Sequence, residues 1–206
     1  MSDRTYPVAP NGIFWTLQGE GHLRGFQMVF VRLAGCSVGC PECDTDYSVA
    51  RRMSADHIAS EADEKTPKSV TDRWVWITGG EPADHGLRPL INALRKRRFA
   101  IAVAASGHRR VIPPVDWLSV SPHDPDAMVQ TYGNELKLVD GLHGLDLEAF
   151  YAKVDESRCD FMFRYVQPLS VNGREDPASL KRCLAFLRAH PNWSLSRQDH
   201  LSTGMP

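Results

Sequence analysis

Three of the five cysteines of this chain, Cys36, Cys40 and Cys43, lie within eight residues. Their C-x3-C-x2-C spacing can direct three thiolates toward one metal ion or cluster. Gly35, just before the first cysteine, and Gly39, between the first two, allow the backbone to bend sharply. Thiolates are soft ligands that select zinc, copper(I) or iron–sulfur clusters. Three thiolates on a four-iron cluster would leave one iron without a protein ligand and therefore open to reaction.

Two other interpretations of the cysteine loop stay open at this point: three buried structural thiols, or a zinc site. A structural zinc ion needs four closed ligands. Cys159 and Cys183 lie far along the chain and do not form a second C-x2-C pair, so we expect them to be core thiols. The spacing therefore favours an iron–sulfur cluster with one open iron.

The composition is that of an ordinary globular protein. Hydrophobic residues make up 42% of the chain, charged residues 24%, and the formal net charge is -1, which gives no indication of binding to nucleic acid or an anionic membrane. No apolar run of about 18 residues and no basic-then-apolar leader is visible, so we expect a cytoplasmic protein without a disulfide framework. At 206 residues, we expect a single domain over 1–206.

The elements that must position the cysteine loop follow from the hydrophobic runs. Strands are predicted at 28–33, 73–78, 99–104, 117–120, 135–139 and 160–166, with a last short strand at 193–196. Helices are predicted at 54–64, 87–97, 145–154 and 177–189, two of them begun by the caps Ser54 and Asp176. Residues 1–12 are interpreted as a loose entry, that is, an irregular segment before the first strand. The segment 46–74 is interpreted as a minimal crossover, the short connection between the first two parallel strands.

Strands that alternate with helices or long connections imply a parallel sheet with right-handed crossovers. Six strands with few helices predict an α/β fold, namely a partial, incomplete parallel β/α barrel of about six strands rather than a closed eightfold one. In such folds function gathers at the carboxyl ends of the strands. The polar and glycine-rich motifs of this chain follow its predicted strands, so we expect the site at that edge.

These motifs resemble those of a known family. The cysteine motif after the first barrel strand is typical of the radical S-adenosylmethionine (SAM) enzymes. The wider set resembles the 7-carboxy-7-deazaguanine synthases and covers nearly the whole chain in that family's order: 16–21 (TLQGEG), 43–45 (CDT), 77–82 (ITGGEP), 120–122 (VSP), 134–137 (NELK), 167–170 (QPLS) and 192–196 (NWSLS).

The resemblance implies a radical SAM lyase that converts 6-carboxy-5,6,7,8-tetrahydropterin to 7-carboxy-7-deazaguanine with loss of ammonia, in 7-deazapurine (queuosine-type) biosynthesis. The implied cofactors are a 4Fe-4S cluster, SAM and Mg2+. The implied partners are the pterin substrate, an electron donor such as flavodoxin and a second copy in a homodimer, with no nucleic acid and no membrane. The rival functions are a radical SAM activase of a partner protein and a zinc-binding interaction module.

The resemblance also assigns roles position by position. The metal ligands would be Cys36, Cys40 and Cys43 for the cluster and Thr45 for Mg2+. The SAM contacts would be Glu42, Cys43, Asp44, Gly80, Ser106, Ser121, Pro122 and His123. The substrate contacts would be Leu17, Gln18, Gly19, Arg32, Thr78 and Pro206, and His200 is close to a tail histidine of the family.

Two positions depart from the common family pattern. Ala105 stands before Ser106 where threonine is common, and His123 follows Ser121-Pro122 where lysine is common. The second departure replaces a fixed cation by a group that titrates near neutrality. The assignment of Ser121 and Pro122 is therefore firmer than that of His123.

Overall fold

A computed structural model describes residues 4–41, 43, 45–156 and 159–204. Within these residues the strands are β1 (Thr5–Leu17), β2 (Gln27–Leu33), β3 (Arg51–Ser54), β4 (Trp74–Gly79), β5 (Ala100–Ala105), β6 (Trp117–Val120), β7 (Tyr132–Val139), β8 (Asp160–Gln167), β9 (Ser170–Val171), β10 (Arg174–Glu175) and β11 (Ser194–Leu195). In the described part of the chain they form a nine-stranded sheet, ordered β11-β8-β7-β6-β5-β4-β2-β1-β3, and a hairpin of β9 and β10.

The centre of the large sheet is a run of parallel strands. β2, β4, β5, β6, β7 and β8 are consecutive neighbours and all pair in parallel. These are the six predicted strands, and the short β11 extends them beside β8. The two outer strands of the sheet, β11 and β3, are not neighbours in the described part of the chain, so the sheet does not close into a full barrel. The predicted partial parallel barrel is thereby confirmed.

The first strand is where the sequence-based prediction was wrong. β1 is 13 residues long and pairs antiparallel with both β2 and β3, so residues 5–12 are not a loose entry. Tyr6 and Val8 are buried. The pairing register shifts between Val8 and Ile13, and Asn11 has a φ of +47°. This irregularity interrupts the alternation of apolar and polar residues by which a strand is recognised.

Four α-helices of the described residues agree with the predicted ones: α1 (Ala55–Lys65), α2 (Arg88–Lys96), α3 (Leu147–Glu156) and α4 (Pro177–Ala189). A short α5 (His200–Thr203) was not predicted. The Ser54 hydroxyl accepts a hydrogen bond from the N–H of His57, and the Asp176 carboxylate accepts from Ala178 and Ser179. The segment 46–74 contains the predicted α1 and, in addition, β3, which was not predicted. None of the described helices is long and apolar enough to cross a membrane.

The two faces of the parallel sheet have different surroundings. On β4, Val75 and Ile77 belong to the large hydrophobic core that includes apolar residues of α1 and α2. The intervening Trp76 belongs to a smaller cluster with Met28, Ala102 and Trp117. Since successive side chains of a strand point to opposite faces, the residues in register with Trp76 share the second face. That face carries the candidate site.

Candidate active site

The cysteine loop begins just beyond the carboxyl end of β2. Cys36 and Cys40 are half-buried, Cys43 is exposed, and none of the three is in a disulfide. Gly35, at a φ of +82°, turns the chain out of the strand, and its N–H donates to the Tyr47 carbonyl at 2.9 Å. The three thiols therefore lie on one loop at the functional edge of the sheet.

Two glycines at the end of β4 pack against the start of this loop. The N–H of Gly80 donates to the Leu33 carbonyl at 2.8 Å, and that of Glu81 donates to the Gly35 carbonyl at 3.1 Å. A Cβ on Gly80 would lie 1.9 Å from the Gly35 oxygen, and Gly79 has a φ of +114°. Only glycine fits such a close approach of two backbones.

Buried Glu81 joins the ends of β4 and β5. Its carboxylate accepts hydrogen bonds from the backbone N–H of Ser106 at 2.8 Å and from the Ser106 hydroxyl at 2.6 Å. The same hydroxyl lies 2.6 Å from Nδ1 of His108, whose Nε2 lies 2.7 Å from the hydroxyl of Ser37 in the cysteine loop. A continuous set of polar contacts thus connects two strand ends to the residue after Cys36.

Asp84 holds the same residue of the loop. Its carboxylate accepts from the Ser37 N–H at 2.9 Å and from the Ser37 hydroxyl at 2.8 Å. Burial opposes ionisation of Asp84, but these hydrogen bonds and the charges of His108 and Arg109 outweigh it and hold its pKa below the usual range. Asp84 therefore remains a carboxylate and fixes the backbone beside Cys36.

A pocket of about 150 Å³ lies on the second face of the sheet. Its lining contains seven of the predicted site residues: Leu17, Gln18, Gly19, Arg32, Thr45, Thr78 and Ser121. Register explains part of this convergence, because Phe30 and Arg32 on β2 stand directly beside Trp76 and Thr78 on β4. The guanidinium of Arg32 also lies over the Phe14 ring, 4.7 Å from its centre.

A second and larger pocket, about 660 Å³, connects this site to the cysteine loop. Arg32, Thr45 and His200 line both pockets, and Cys43 lines the second one. The predicted substrate residues and one of the predicted cluster ligands therefore face connected space.

The first pocket also contains a charged pair that sequence analysis did not single out. Lys137 on β7 forms a short ion pair with Glu20, and Gln198 Nε2 donates to the other carboxylate oxygen of Glu20 at 2.8 Å. Burial opposes ionisation of Glu20, but the charge and hydrogen bond of Lys137 outweigh it and lower its pKa. Glu20 belongs to the motif at 16–21 and Lys137 to the motif at 134–137. Their opposite charges were the only sign in the sequence that the two side chains could pair.

Glu135, two residues before Lys137, fixes the turn that carries Glu20. Its buried carboxylate accepts from the His22 N–H at 2.6 Å and from the Ser119 hydroxyl at 2.8 Å. A Cβ on Gly21, which has a φ of +65°, would lie 2.3 Å from that carboxylate. The turn between β1 and β2 is consequently held by a buried acid that leaves space only for glycine.

The C-terminal segment packs on the same turn. The Asp199 N–H donates to the Gly19 carbonyl at 3.1 Å, and a Cβ on Gly19 would lie 2.6 Å from Nδ1 of His200. His200 lines the same pocket as the predicted substrate residues. Pro206, predicted to contact the substrate, lies outside the described residues.

The residues predicted to contact SAM fall into different places. Gly80 packs on the cysteine loop, Ser106 binds Glu81, and Ser121 lines the pocket. Pro122 is buried, whereas His123 places Nδ1 3.0 Å from the Cys40 sulfur. The remaining predicted positions, Glu42 and Asp44, are outside the described residues.

The two other cysteines stand apart from the loop. Cys183 is fully buried in α4, and burial raises the pKa of its thiol to about 12. Cys159 is half-buried and packs against the large hydrophobic core. Both are core thiols, as expected.

Comparison with known proteins identifies the family. A curated 7-carboxy-7-deazaguanine synthase of Burkholderia multivorans is 34% identical over 98% of this chain and 100% of its own length. The chain belongs to the 7-carboxy-7-deazaguanine synthase family. Further synthases of Caulobacter vibrioides and Escherichia coli K12 are 35% and 30% identical over 98% and 95% of the chain, and over 100% and 96% of their own lengths. A scan against protein-family models found no match.

A solved synthase structure supports the same assignment. The crystal structure of QueE from Escherichia coli superimposes with a TM-score of 0.70 and 27% sequence identity, covering 94% of each chain. The partial parallel barrel is thus the fold of this synthase family.

The residues of the site fit the cofactors that the resemblance implies. The loop offers three thiols of the type that iron–sulfur clusters require. Beside it, the backbone of Gly80 packs against Gly35, so the carboxyl end of β4 lies next to the start of the cysteine loop. The Thr45 side chain and the Arg32 guanidinium line one pocket, which joins an oxygen ligand suited to Mg2+ with a group suited to a carboxylate.

Proposed function

We propose that this synthase family member is a radical SAM lyase that converts 6-carboxy-5,6,7,8-tetrahydropterin to 7-carboxy-7-deazaguanine with loss of ammonia, in 7-deazapurine biosynthesis of the queuosine type. One observation carries the proposal. The pocket beside the cysteine loop gathers seven of the predicted substrate, SAM and metal residues in a chain of this family.

In this proposal Cys36, Cys40 and Cys43 would hold a 4Fe-4S cluster and would leave one iron without a protein ligand, available to SAM. When bound, the cluster and SAM supply a radical that can remove hydrogen from an unactivated carbon. The chain itself supplies placement. Gly80, Ser106 and Ser121 stand at three neighbouring strand ends, where backbone and hydroxyl groups suit the polar parts of SAM.

Arg32 and Thr45 are proposed to bind the carboxylate of the substrate. A guanidinium can donate two parallel hydrogen bonds to a carboxylate. Thr45 is proposed to ligate Mg2+, and the substrate carboxylate would complete the shell of the same ion. Because both residues line one pocket, a single carboxylate position can serve both contacts.

The turn between β1 and β2 is proposed to bind the pterin ring. Gln18 and the backbone of Gly19 offer amide N–H donors and carbonyl acceptors. These groups match a ring edge that carries both donors and acceptors. The Glu20–Lys137 pair adds a fixed negative and a fixed positive group to the same wall. Thr78 and Leu17 also line this pocket.

The wider setting remains part of the proposal. We expect one domain, an electron donor such as flavodoxin, a homodimer and no nucleic-acid or membrane partner. A cytoplasmic location fits five cysteines that form no disulfide among the described residues. A monomeric mass in solution would contradict the dimer.

Substrate titration tests the assignment. We expect Arg32→Gln to weaken binding of 6-carboxytetrahydropterin in the presence of Mg2+ by roughly 10- to 100-fold, the effect of losing a hydrogen bond between charged groups. Binding of the same pterin without its 6-carboxyl group should change little. Equal binding of both pterins by wild type, with no effect of Arg32→Gln, would contradict the proposed substrate.

A further inference from the structure

A second group of metal-ligating side chains lies at the edge of the cysteine loop. Cys40, His123 and His143 each offer one ligand atom, and these atoms all lie within 4.8 Å of one another. Nδ1 of His123 is 3.0 Å from the Cys40 sulfur, and the two imidazole rings meet edge to face with their centres 5.5 Å apart. Small side-chain rotations would bring three such atoms onto one ion.

The group is accessible from solvent. His123 and His143 line a pocket of about 370 Å³ on the side of the sheet edge where β6 and β7 end. Asp124 and Asp146 line the same pocket and offer carboxylate oxygens. An ion entering here would find a path, three ligands of nitrogen and sulfur type, and water or a carboxylate for a fourth position.

The chemistry of these ligands selects the ion. One thiolate with two imidazoles suits a borderline-soft divalent ion that accepts tetrahedral coordination, of which Zn2+ is the common case. Mg2+ prefers oxygen ligands and would not be held by this set.

We propose that Cys40, His123 and His143 form a binding site for Zn2+ or a similar divalent ion in the cluster-free protein. Because Cys40 is also one of the three proposed cluster ligands, the ion and the cluster exclude each other. This exclusion rests on the proposed function, whereas the ion site itself does not. Excess Zn2+ before cluster assembly therefore blocks assembly through one shared sulfur.

The test uses Co2+ as a visible probe for Zn2+ on the full-length, anaerobically prepared, cluster-free protein. Binding at this site gives sulfur-to-cobalt charge-transfer absorption and the visible bands of tetrahedral Co2+, both removed by competing Zn2+. His143→Asn should weaken Co2+ binding by more than the roughly 10- to 100-fold typical of losing an outer-shell partner. Asparagine suits the left-handed backbone of His143, whose φ is +53°.

Cys36→Ser provides the matched control. It removes a proposed cluster ligand and leaves the ion site, so it should abolish cluster assembly and keep the cobalt spectrum. His143→Asn should do the reverse, assembling a normal cluster that excess Zn2+ no longer blocks. Cys40→Ser should lose both the cobalt spectrum and cluster assembly.

Three outcomes would overturn the proposal: no cobalt–thiolate absorption in wild type, an unchanged spectrum in His143→Asn, or loss of the spectrum in Cys36→Ser. The last result would place the ion among the three loop cysteines. If wild type and Cys36→Ser bind Co2+ but no protein assembles a cluster, the ion site stands and the proposed function fails, so the two failures are distinguishable.

Discussion

The two walls of the candidate site are built in different ways. The turn between β1 and β2 is held by buried charge, with Glu20 on Lys137 and Glu135 on the backbone of His22. The other wall, the cysteine loop, carries its thiols half-buried or exposed at the sheet edge. The first wall is therefore part of what folds the protein, whereas the second contributes chemistry and little stability.

This difference predicts which substitutions should lower stability and which should remove only the cofactor. A change on the turn should lower the free energy of unfolding, because a buried charge loses its partner. A change of a loop thiol should remove the cofactor and leave the fold, since Cys36, Cys40 and Cys43 belong to neither hydrophobic core cluster. Four substitutions test this division, from the largest expected effect to the smallest.

Cys36→Ser should abolish activity while changing stability little. Serine keeps the size of the side chain but is not a soft ligand, so the third iron of a 4Fe-4S cluster would have no anchor. Iron content, the colour of the anaerobic protein and product formation should fall to background, whereas urea unfolding of the cluster-free protein should match wild type within about 0.5 kcal/mol. A brown, active Cys36→Ser protein would refute the ligand assignment.

Lys137→Met should destabilise the protein by about 2–3 kcal/mol, because it leaves the carboxylate of partly buried Glu20 without its ammonium partner. The double variant Glu20→Gln with Lys137→Met is the matched control and should recover much of the loss. Urea unfolding of both variants measures this. Equal stability of Lys137→Met and wild type would show that the pair is not part of the folding energy.

Acid titration of wild type and of the single variant Glu20→Gln tests the direction of the Glu20 pKa shift. The pKa of Glu20 is lowered below its ordinary value of 4.5, so its stabilising contribution is fully present above pH 4.5 and is lost as the pH falls through the lowered value. Stability should therefore fall more steeply below pH 4.5 in wild type than in Glu20→Gln. Parallel curves would contradict the direction of the shift.

Gly80→Ala tests the contact between the strand end and the cysteine loop. The new methyl group would meet the Gly35 carbonyl, and relief of this overlap should cost about 1–3 kcal/mol. Gly39→Ala is the control, because Gly39 has a φ of +65° but no atom within 4 Å of an added Cβ, so its cost is about 1–2 kcal/mol of backbone strain alone. SAM titration of the reconstituted proteins should show weaker binding in Gly80→Ala than in Gly39→Ala. The reverse order would refute a role of the contact between Gly80 and the cysteine loop in SAM binding.

Ser54→Ala should have the smallest effect. It removes the hydroxyl that accepts the N–H of His57 at the start of α1 and should cost about 1 kcal/mol. Thermal unfolding measures the loss, and product formation should stay at the wild-type rate. A change in turnover would mean that α1 is coupled to the site.

Sequence alone predicted the parts of the fold that repeat a simple pattern. The six parallel strands and the caps Ser54 and Asp176 followed from apolar runs and local hydrogen-bonding residues. β1 was missed because its register shift hides the alternation between Val8 and Ile13. A local pattern carries no information about such an irregularity.

The site shows the same limit. The motifs named the lining residues, and strand register brought them together, as with Arg32 beside Thr78. The Glu20–Lys137 pair joins residues 117 positions apart, so only the folded chain reveals it. The contact of His123 with Cys40 was likewise invisible, because the sequence does not state which strand-end side chains turn toward the loop.

The most direct test of the whole account is product analysis of the reconstituted wild-type protein under anaerobic, reducing conditions with 6-carboxy-5,6,7,8-tetrahydropterin, SAM and Mg2+. We predict equal amounts of 7-carboxy-7-deazaguanine and ammonia, with the amount of SAM unchanged. Unaltered pterin in the presence of a fully loaded cluster, or a product that retains the nitrogen, would contradict it.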